Sequence, residues 1–140
     1  MDRNMLSGKN FQSLINFLWD NGALDYFSLE DCELGQEGGE AIAVGMTKNR
    51  GISELHIGKN RFGDVAMEGL VRALLENARL RVLDIDGCKI MDRGGKALSE
   101  LIRNNHGIHT YDFRDNQFYD ETGSHMADAI KQNHRVKKIQ

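Results

Sequence analysis

The aspartates of this sequence are the residues whose type and spacing best support binding chemistry. Asp84 and Asp86 are separated by one residue, and Asp112 follows Asp84 by 28 residues, with Asp115 close behind. If the two segments lie side by side, their carboxylates form one acidic surface that would attract a basic protein. Neighbouring carboxylates also offer oxygen ligands to magnesium or calcium. No calcium-loop spacing accompanies them, so we predict no metal site.

The composition excludes several other kinds of function. The net charge is −3 and the isoelectric point is about 5.9, which gives no reason to expect nucleic acid as a partner. The glycine-rich stretch GQEGGEAIAVG lacks the lysine and the spacing of a phosphate-binding loop, and we predict no cofactor. No apolar run approaches the ~20 residues of a membrane span, and only two cysteines are present. We therefore predict an intracellular, cytoplasmic protein without membrane insertion.

Apolar residues recur along the chain with a period of 28 residues. One series consists of Leu24, Ile52, Leu80, Ile108 and Val136. Three residues later comes a second series, Phe27, Leu55, Leu83, Tyr111 and Ile139. Apolar residues alternate with variable ones from this point, which indicates a short β-strand because successive side chains face opposite sides. Later in each unit the apolar spacing becomes four residues, as in Leu70 and Leu74, which indicates a helix.

Polar residues and glycines recur at the ends of the predicted helices. Aspartates stand at three helix starts, namely Asp64, Asp92 and Asp120. We expect each carboxylate to accept hydrogen bonds from the free N–H groups of its own helix. Asparagine recurs at the end of each predicted helix, and we expect it to adopt the left-handed conformation that ends a helix. The five residues are Asn21, Asn49, Asn77, Asn105 and Asn133. Close approach of the helix to neighbouring backbone is predicted at Gly39, Gly95 and Gly123.

Residues 80–105 resemble a unit of the ribonuclease-inhibitor-like class of the leucine-rich repeat family. Their sequence is LRVLDIDGCKIMDRGGKALSELIRNN, with the consensus positions filled by Leu80, Leu83, Ile85, Cys88 and Ile90. The resemblance implies an α/β solenoid of about four to five repeats, shaped as a short horseshoe with a concave parallel sheet and convex helices. It also implies a structural Asn/Cys position that bonds to turn backbone inside the stack, occupied by Cys32, Asn60, Cys88 and Asn116.

Equivalent positions of neighbouring parallel strands lie about 4.8 Å apart and form rows across the sheet. We call the outward residues of the strands and of the turns that follow them the strand face, which the resemblance places on the concave side. The residues predicted to bind a partner there are Tyr26, Glu30, Asp31, Glu54, His56, Asp84, Asp86, Asp112, Arg114 and Asp115. This face is predominantly acidic, so the predicted partner is another protein with a basic surface. The alternative is a solvated polar face that has no partner.

We predict a non-enzymatic scaffold for protein–protein interaction, without catalytic residues. Two alternatives remain: a regulator of a small GTPase, because the Ran GTPase-activating class resembles the same repeats, and a structural subunit of a larger assembly. One domain is predicted over residues 1–140, with a helical half-repeat at 1–23, repeats at 24–51, 52–79, 80–107 and 108–135, and a truncated repeat at 136–140. The last predicted strand has no following helix in the sequence, which predicts either an exposed strand that pairs with a partner, with self-association through its open edge as one option, or a strand that belongs to a longer parent protein.

Overall fold

The computed structural model describes residues 8–140, in which helices and strands alternate. The helices are α1 Gly8–Asp20, α2 Gly35–Met46, α3 Gly63–Leu75, α4 Asp92–Asn104 and α5 Asp120–Gln132. The strands are β1 Tyr26–Ser28, β2 Glu54–His56, β3 Val82–Asp84, β4 Thr110–Asp112 and β5 Lys138–Ile139. Residues 1–7 of the predicted half-repeat lie outside the described residues. Within residues 8–140, no helix is both long enough and apolar enough to cross a membrane.

The five strands form one parallel sheet in the order β1-β2-β3-β4-β5. Every pair is in register with a step of 28 residues, so Phe27 lies beside Leu55, Leu55 beside Leu83, and Leu83 beside Tyr111. Each helix contacts the helix of the next unit, which gives a second layer behind the sheet. The predicted α/β solenoid with parallel strands and one helix per unit is confirmed.

The core lies between the sheet and the helix layer. Leu55 and Leu83 point into it from the strands and are fully buried, and they meet the predicted helix pair of Leu70 and Leu74. Full burial of a leucine side chain contributes about 1.5–3 kcal/mol. Tyr111 takes the leucine position in β4, and its buried hydroxyl has no hydrogen-bond partner among the described residues. Burial raises the pKa of Tyr111.

The recurring asparagines do not end the helices through a left-handed backbone, so that prediction was wrong. Asn105, at the end of α4, has φ −92° and ψ 115°. Its Nδ2 donates to the carbonyl oxygens of Leu74 at 2.8 Å and Asn77 at 3.1 Å, and its Oδ1 accepts from the amides of Gly107 and Ile108. The helices do end near these residues, and the side chains bond to turn backbone. We call these five asparagines the asparagine ladder; Asn49, Asn77, Asn105 and Asn133 are buried and Asn21 is partly buried.

Two of the three aspartates at the helix starts bond to the next unit and not to their own helix. Asp64 Oδ1 accepts a 2.7 Å bond from the amide of Met91, the residue that precedes α4. Asp92 Oδ1 likewise accepts from the Tyr119 amide at 3.0 Å and from the Thr122 hydroxyl. The predicted capping of their own helices was therefore wrong for Asp64 and Asp92, because their carboxylates reach across the gap between neighbouring helices. Helix α5, which starts at Asp120, also has no side-chain cap bond among the described residues.

Two of the three recurring helix glycines permit close packing between units. A Cβ atom on Gly39 would lie 2.6 Å from Phe62 Cδ1 and 2.7 Å from Ala66 Cβ, which is too close for any side chain. Gly95 meets α5 and the turn before it in the same way. Close approach is found at these two positions, although the neighbouring atoms belong to side chains and not to the backbone that was predicted. The prediction was wrong at Gly123, where nothing among the described residues lies within 4 Å of the place that a Cβ would take.

Candidate functional site

The sheet register brings the predicted residues of the strand face into rows. Tyr26 lies beside Glu54, and His56 lies beside Asp84, which in turn lies beside Asp112. These side chains come from four different units, and the 28-residue period alone places them together. The rows lie on the side of the sheet opposite the buried leucines, because alternate residues of a strand point to opposite faces.

His56 is the centre of the strand face. Its Nδ1 lies 3.3 Å from Asp84 Oδ2, and its Nε2 lies 3.4 Å from Glu54 Oε2. The ring of Tyr26 lies over the imidazole, with 4.9 Å between the ring centroids. The imidazole is therefore held between two carboxylates and an exposed aromatic ring. The 28-residue period placed His56 beside Asp84, whereas the sequence did not indicate its contact with Glu54 or with the ring of Tyr26.

Glu30 joins the same group from the end of β1. One donor atom each of Glu30, His56 and Asp84 lies within 4.8 Å of the other two. Burial, together with the nearby Asp84 carboxylate, raises the pKa of Glu30. Two carboxylates and an imidazole are donors that a divalent metal accepts. In this group both imidazole nitrogens already face carboxylates, so we interpret it as a hydrogen-bonded network on the strand face.

Asp86 carries the least satisfied carboxylate of this face. Its Oδ1 is buried against Gly58 and has no hydrogen-bond partner among residues 8–140. Burial and the neighbouring Asp84 carboxylate raise the pKa of Asp86, although the Lys59 ammonium acts in the opposite direction. A hydrogen bond from a donor on another molecule would stabilise a carboxylate oxygen in this state.

Asp112 is not free to bind a partner in the way that Asp86 is. Arg114 binds it with two parallel hydrogen bonds, Nε to Oδ1 at 3.0 Å and Nη2 to Oδ2 at 2.6 Å. These hydrogen bonds hold the pKa of Asp112 below its usual value. Asp31 and Asp115 stand apart from the central network, on exposed turns where their backbone has φ 52° and 54°.

The four residues of the structural Asn/Cys position lie in the turns after the strands. Asn60 Oδ1 accepts a 2.9 Å bond from the amide of Cys32, and Asn116 Oδ1 accepts a 3.0 Å bond from the amide of Cys88. Both thiols are unpaired and buried. Burial raises the pKa of Cys88 to about 12, so the thiolate form that a nucleophile needs is scarce there.

Comparison with known proteins agrees with this repeat architecture. The family model described as "Leucine Rich repeat" matches residues 24–43 and 76–99. The pig (Sus scrofa) ribonuclease inhibitor is 26% identical over 94 residues, which are 66% of this chain and 21% of the inhibitor. The chain contains leucine-rich repeats and resembles the ribonuclease-inhibitor-like class.

A second curated relative of this chain is human NACHT, LRR and PYD domains-containing protein 13, which is 25% identical over 95 residues. Those residues are 67% of this chain and 9% of the human protein. The chain thus spans about a fifth or less of the length of the curated relatives it matches.

Two solved structures have the same fold as this chain. One is titled leiomodin-1 actin-binding site 2, with a TM-score of 0.85 and 14% identity over 95% of this chain and 79% of that chain. The other is the tropomodulin C-terminal domain from Caenorhabditis elegans, with a TM-score of 0.79 and 17% identity over 93% of this chain and 81% of that chain.

Proposed function

We propose that this chain is a non-enzymatic protein-interaction module whose strand face binds a partner with a basic surface. The observation that carries the proposal is the row geometry, since a parallel sheet with a 28-residue register aligns Tyr26, Glu54, His56 and Asp84 on one outward surface. The names of two similar proteins point the same way. The pig relative is called an inhibitor of ribonuclease, and the leiomodin structure is titled an actin-binding site.

Charge crowding on the strand face supports a basic partner. The pKa values of Glu30 and Asp86 are both raised, by burial first and then by the Asp84 carboxylate. An arginine or lysine of a partner would relieve this repulsion. Arg114 already binds Asp112 through two hydrogen bonds on the same face, which illustrates how a guanidinium fits there.

An intracellular location belongs to the same proposal. Cys32 and Cys88 are both buried and unpaired, and such thiols persist where the surroundings are reducing.

The test removes charge from the strand face without changing its shape. The double variant Asp86→Asn, Asp115→Asn replaces two carboxylates by amides of equal size, and asparagine tolerates the left-handed backbone at position 115. The control variant, Glu100→Gln with Asp128→Asn, removes two exposed carboxylates from helices α4 and α5. Immobilised native chain and both variants are exposed to a cell extract, and the captured proteins are identified by mass spectrometry.

A partner of the strand face is captured by the native chain and by the control variant but not by the double variant. Calorimetry with that purified partner is expected to show binding at least about tenfold weaker for the double variant, or about 1.4 kcal/mol. Raising the salt concentration is expected to slow association with the native chain more than with the double variant. Equal affinity for all three chains would refute the strand face as the binding surface.

A further inference from the structure

The network around His56 has fewer protons than its contacts require. A neutral imidazole carries a single N–H and donates to one acceptor at a time. Both nitrogens of His56 face carboxylates, Nε2 facing Glu54 at 3.4 Å and Nδ1 facing Asp84 at 3.3 Å. When Nε2 donates to Glu54, the lone pair of Nδ1 therefore faces the lone pairs of Asp84 Oδ2. A cation between these two atoms would replace that repulsion by attraction to both.

No paired lysine or arginine balances the carboxylates of this network. Among residues 8–140, Glu30, Glu54 and Asp84 form no ion pair with a lysine or an arginine. Asp112 on the same face is different, because Arg114 binds it at 2.6 Å. The strand face thus gathers three carboxylates around one imidazole without a bound cation of its own chain.

The distance between His56 Nδ1 and Asp84 Oδ2 fits two ligands of one metal ion. Zinc binds imidazole nitrogen and carboxylate oxygen at about 2.0–2.2 Å, so two such ligands at a tetrahedral angle lie about 3.4 Å apart. The observed distance is 3.3 Å. A charge-assisted hydrogen bond between such atoms is shorter, at about 2.7–2.9 Å. The spacing therefore matches a shared metal ion better than a strong hydrogen bond.

Glu30 supplies a third ligand from the neighbouring unit. One donor atom each of Glu30, His56 and Asp84 lies within 4.8 Å of the other two. The Glu30 side chain is exposed, so it is free to rotate toward the other two ligands. The three residues belong to three successive units, at the end of β1, in β2 and in β3. The sequence prediction of no metal site rested on loop spacing, and ligands from separate units show no such spacing.

The surrounding groups hold the ligands in position. Asp84 Oδ1 accepts a 3.1 Å bond from the Asp86 amide, which leaves Oδ2 directed at the imidazole. His56 Nε2 faces Glu54, and a histidine that binds a metal commonly donates its other N–H to a carboxylate. The ring of Tyr26 lies over the imidazole, with 4.9 Å between the ring centroids. These contacts favour the tautomer whose Nδ1 lone pair is free to bind a metal ion.

We propose that Glu30, His56 and Asp84 bind one zinc ion through a Glu30 carboxylate oxygen, His56 Nδ1 and Asp84 Oδ2. Water fills the fourth position of the tetrahedral set. The two carboxylates balance the double charge of the ion. The imidazole selects zinc over magnesium and calcium, which take oxygen ligands, and the tetrahedral spacing disfavours copper(II), which prefers a square-planar arrangement. This site does not depend on the proposed protein partner.

Isothermal titration calorimetry of the metal-free full chain with zinc chloride measures this binding. The native chain is expected to bind one zinc ion with a Kd below about 100 μM, and magnesium or calcium chloride is expected to give no binding heat at the same concentrations. His56→Gln removes the nitrogen ligand, and Glu30→Gln removes an exposed carboxylate ligand. Each variant is expected to raise the Kd at least about tenfold. The matched control His125→Gln removes an exposed imidazole that lies 3.7 Å from a single carboxylate, Glu121, and it is expected to leave the Kd unchanged.

Heteronuclear NMR of the histidine side chains locates the ion independently of the affinity. Zinc is expected to shift the Nδ1 resonance of His56, and circular dichroism verifies the fold of each variant. A native chain that binds no zinc up to about 1 mM would overturn the proposal. So would a zinc affinity that His56→Gln and Glu30→Gln both leave unchanged while folded, or a zinc-induced shift confined to other histidines. The capture experiment above changes Asp86 and Asp115 and none of the three ligands, so the two proposals can fail separately.

Discussion

Replacing Asn105 by aspartate tests the asparagine ladder through a side chain of the same shape. Asn105 is 3% exposed and donates two hydrogen bonds, to the Leu74 carbonyl at 2.8 Å and the Asn77 carbonyl at 3.1 Å. The variant Asn105→Asp loses both bonds and turns a carboxylate oxygen toward two buried carbonyl oxygens. A buried polar group left without its partner costs about 1–3 kcal/mol. We therefore expect Asn105→Asp to lower the free energy of unfolding by about 3–5 kcal/mol.

The loss is expected to depend on pH with a definite sign. Burial beside two carbonyl oxygens raises the pKa of the introduced carboxyl in the folded state above its unfolded value of about 3.9. In its protonated form the carboxyl can donate one bond to a carbonyl. The destabilisation is then smallest below the unfolded pKa and grows as the pH rises through the raised folded pKa.

Urea unfolding followed by circular dichroism, at about pH 4 and about pH 8, measures both effects. The control is Asn104→Asp, which makes the same change on the exposed neighbouring residue. It is expected to cost at most about 1 kcal/mol, from a negative charge at the C-terminus of α4. If Asn105→Asp cost no more than the control, the ladder would not stabilise the stack. A loss equal at both pH values would mean that the introduced carboxyl is not buried.

Four further predictions test individual features of the fold. Leu83→Ala removes a fully buried side chain and is expected to lower the free energy of unfolding by about 2–5 kcal/mol in urea. Asp84→Ala on the strand face is expected to lower it much less, and equal losses would contradict the assignment of inward and outward residues. Tyr111→Phe is expected to raise the free energy of unfolding by about 1 kcal/mol, because it removes a buried hydroxyl that has no partner among the described residues. A lower free energy of unfolding for this variant would show that the hydroxyl is bonded. Lys59→Gly is expected to stabilise by about 0.5–1 kcal/mol, since Lys59 has φ 60°, and a destabilised variant would contradict strain there. The Cys88 thiol, with its pKa of about 12, is expected to react with maleimide only as the chain unfolds, and fast labelling of the native chain would contradict its burial.

The period of the apolar residues was enough to predict the architecture. Leu55 and Leu83 recur with a step that fits one strand and one helix per unit, and the structure pairs them in register. The same step assigned Tyr26, His56 and Asp84 to the outward rows. Rows follow from backbone geometry alone, because a parallel sheet with constant register leaves no freedom in which residues are neighbours.

The roles of the recurring polar residues were harder to predict. The sequence does not show whether such a side chain bonds within its own unit or to the neighbouring unit. Asparagine favours the left-handed region, so Asn105 was predicted to end its helix. To predict the observed bond to the residue 28 positions earlier, one must know the distance between neighbouring units, which the sequence does not state. Asp92 was misassigned for the same reason, since its amide partner Tyr119 lies 27 positions later.

The charges of the strand face depend on side-chain choices that no period specifies. Arg114 and Asp86 occupy one row, and no sequence pattern predicts that Arg114 turns to Asp112, while Asp86 Oδ1 has no hydrogen-bond partner among the described residues. Such choices follow from the local competition between hydrogen bonds, burial and side-chain entropy. The contacts of the candidate site therefore required the structure, whereas its location did not.

The bonds between units connect each unit to its direct neighbours. Asn60, between two units, is fully buried, whereas Asn116 is only partly buried although it makes the same bonds. In a solenoid, stability is close to a sum over units and their interfaces, so these bonds contribute most where both neighbouring units cover them. A partner on the strand face crosses several units at once, so its binding stabilises the interfaces between those units together with the units themselves.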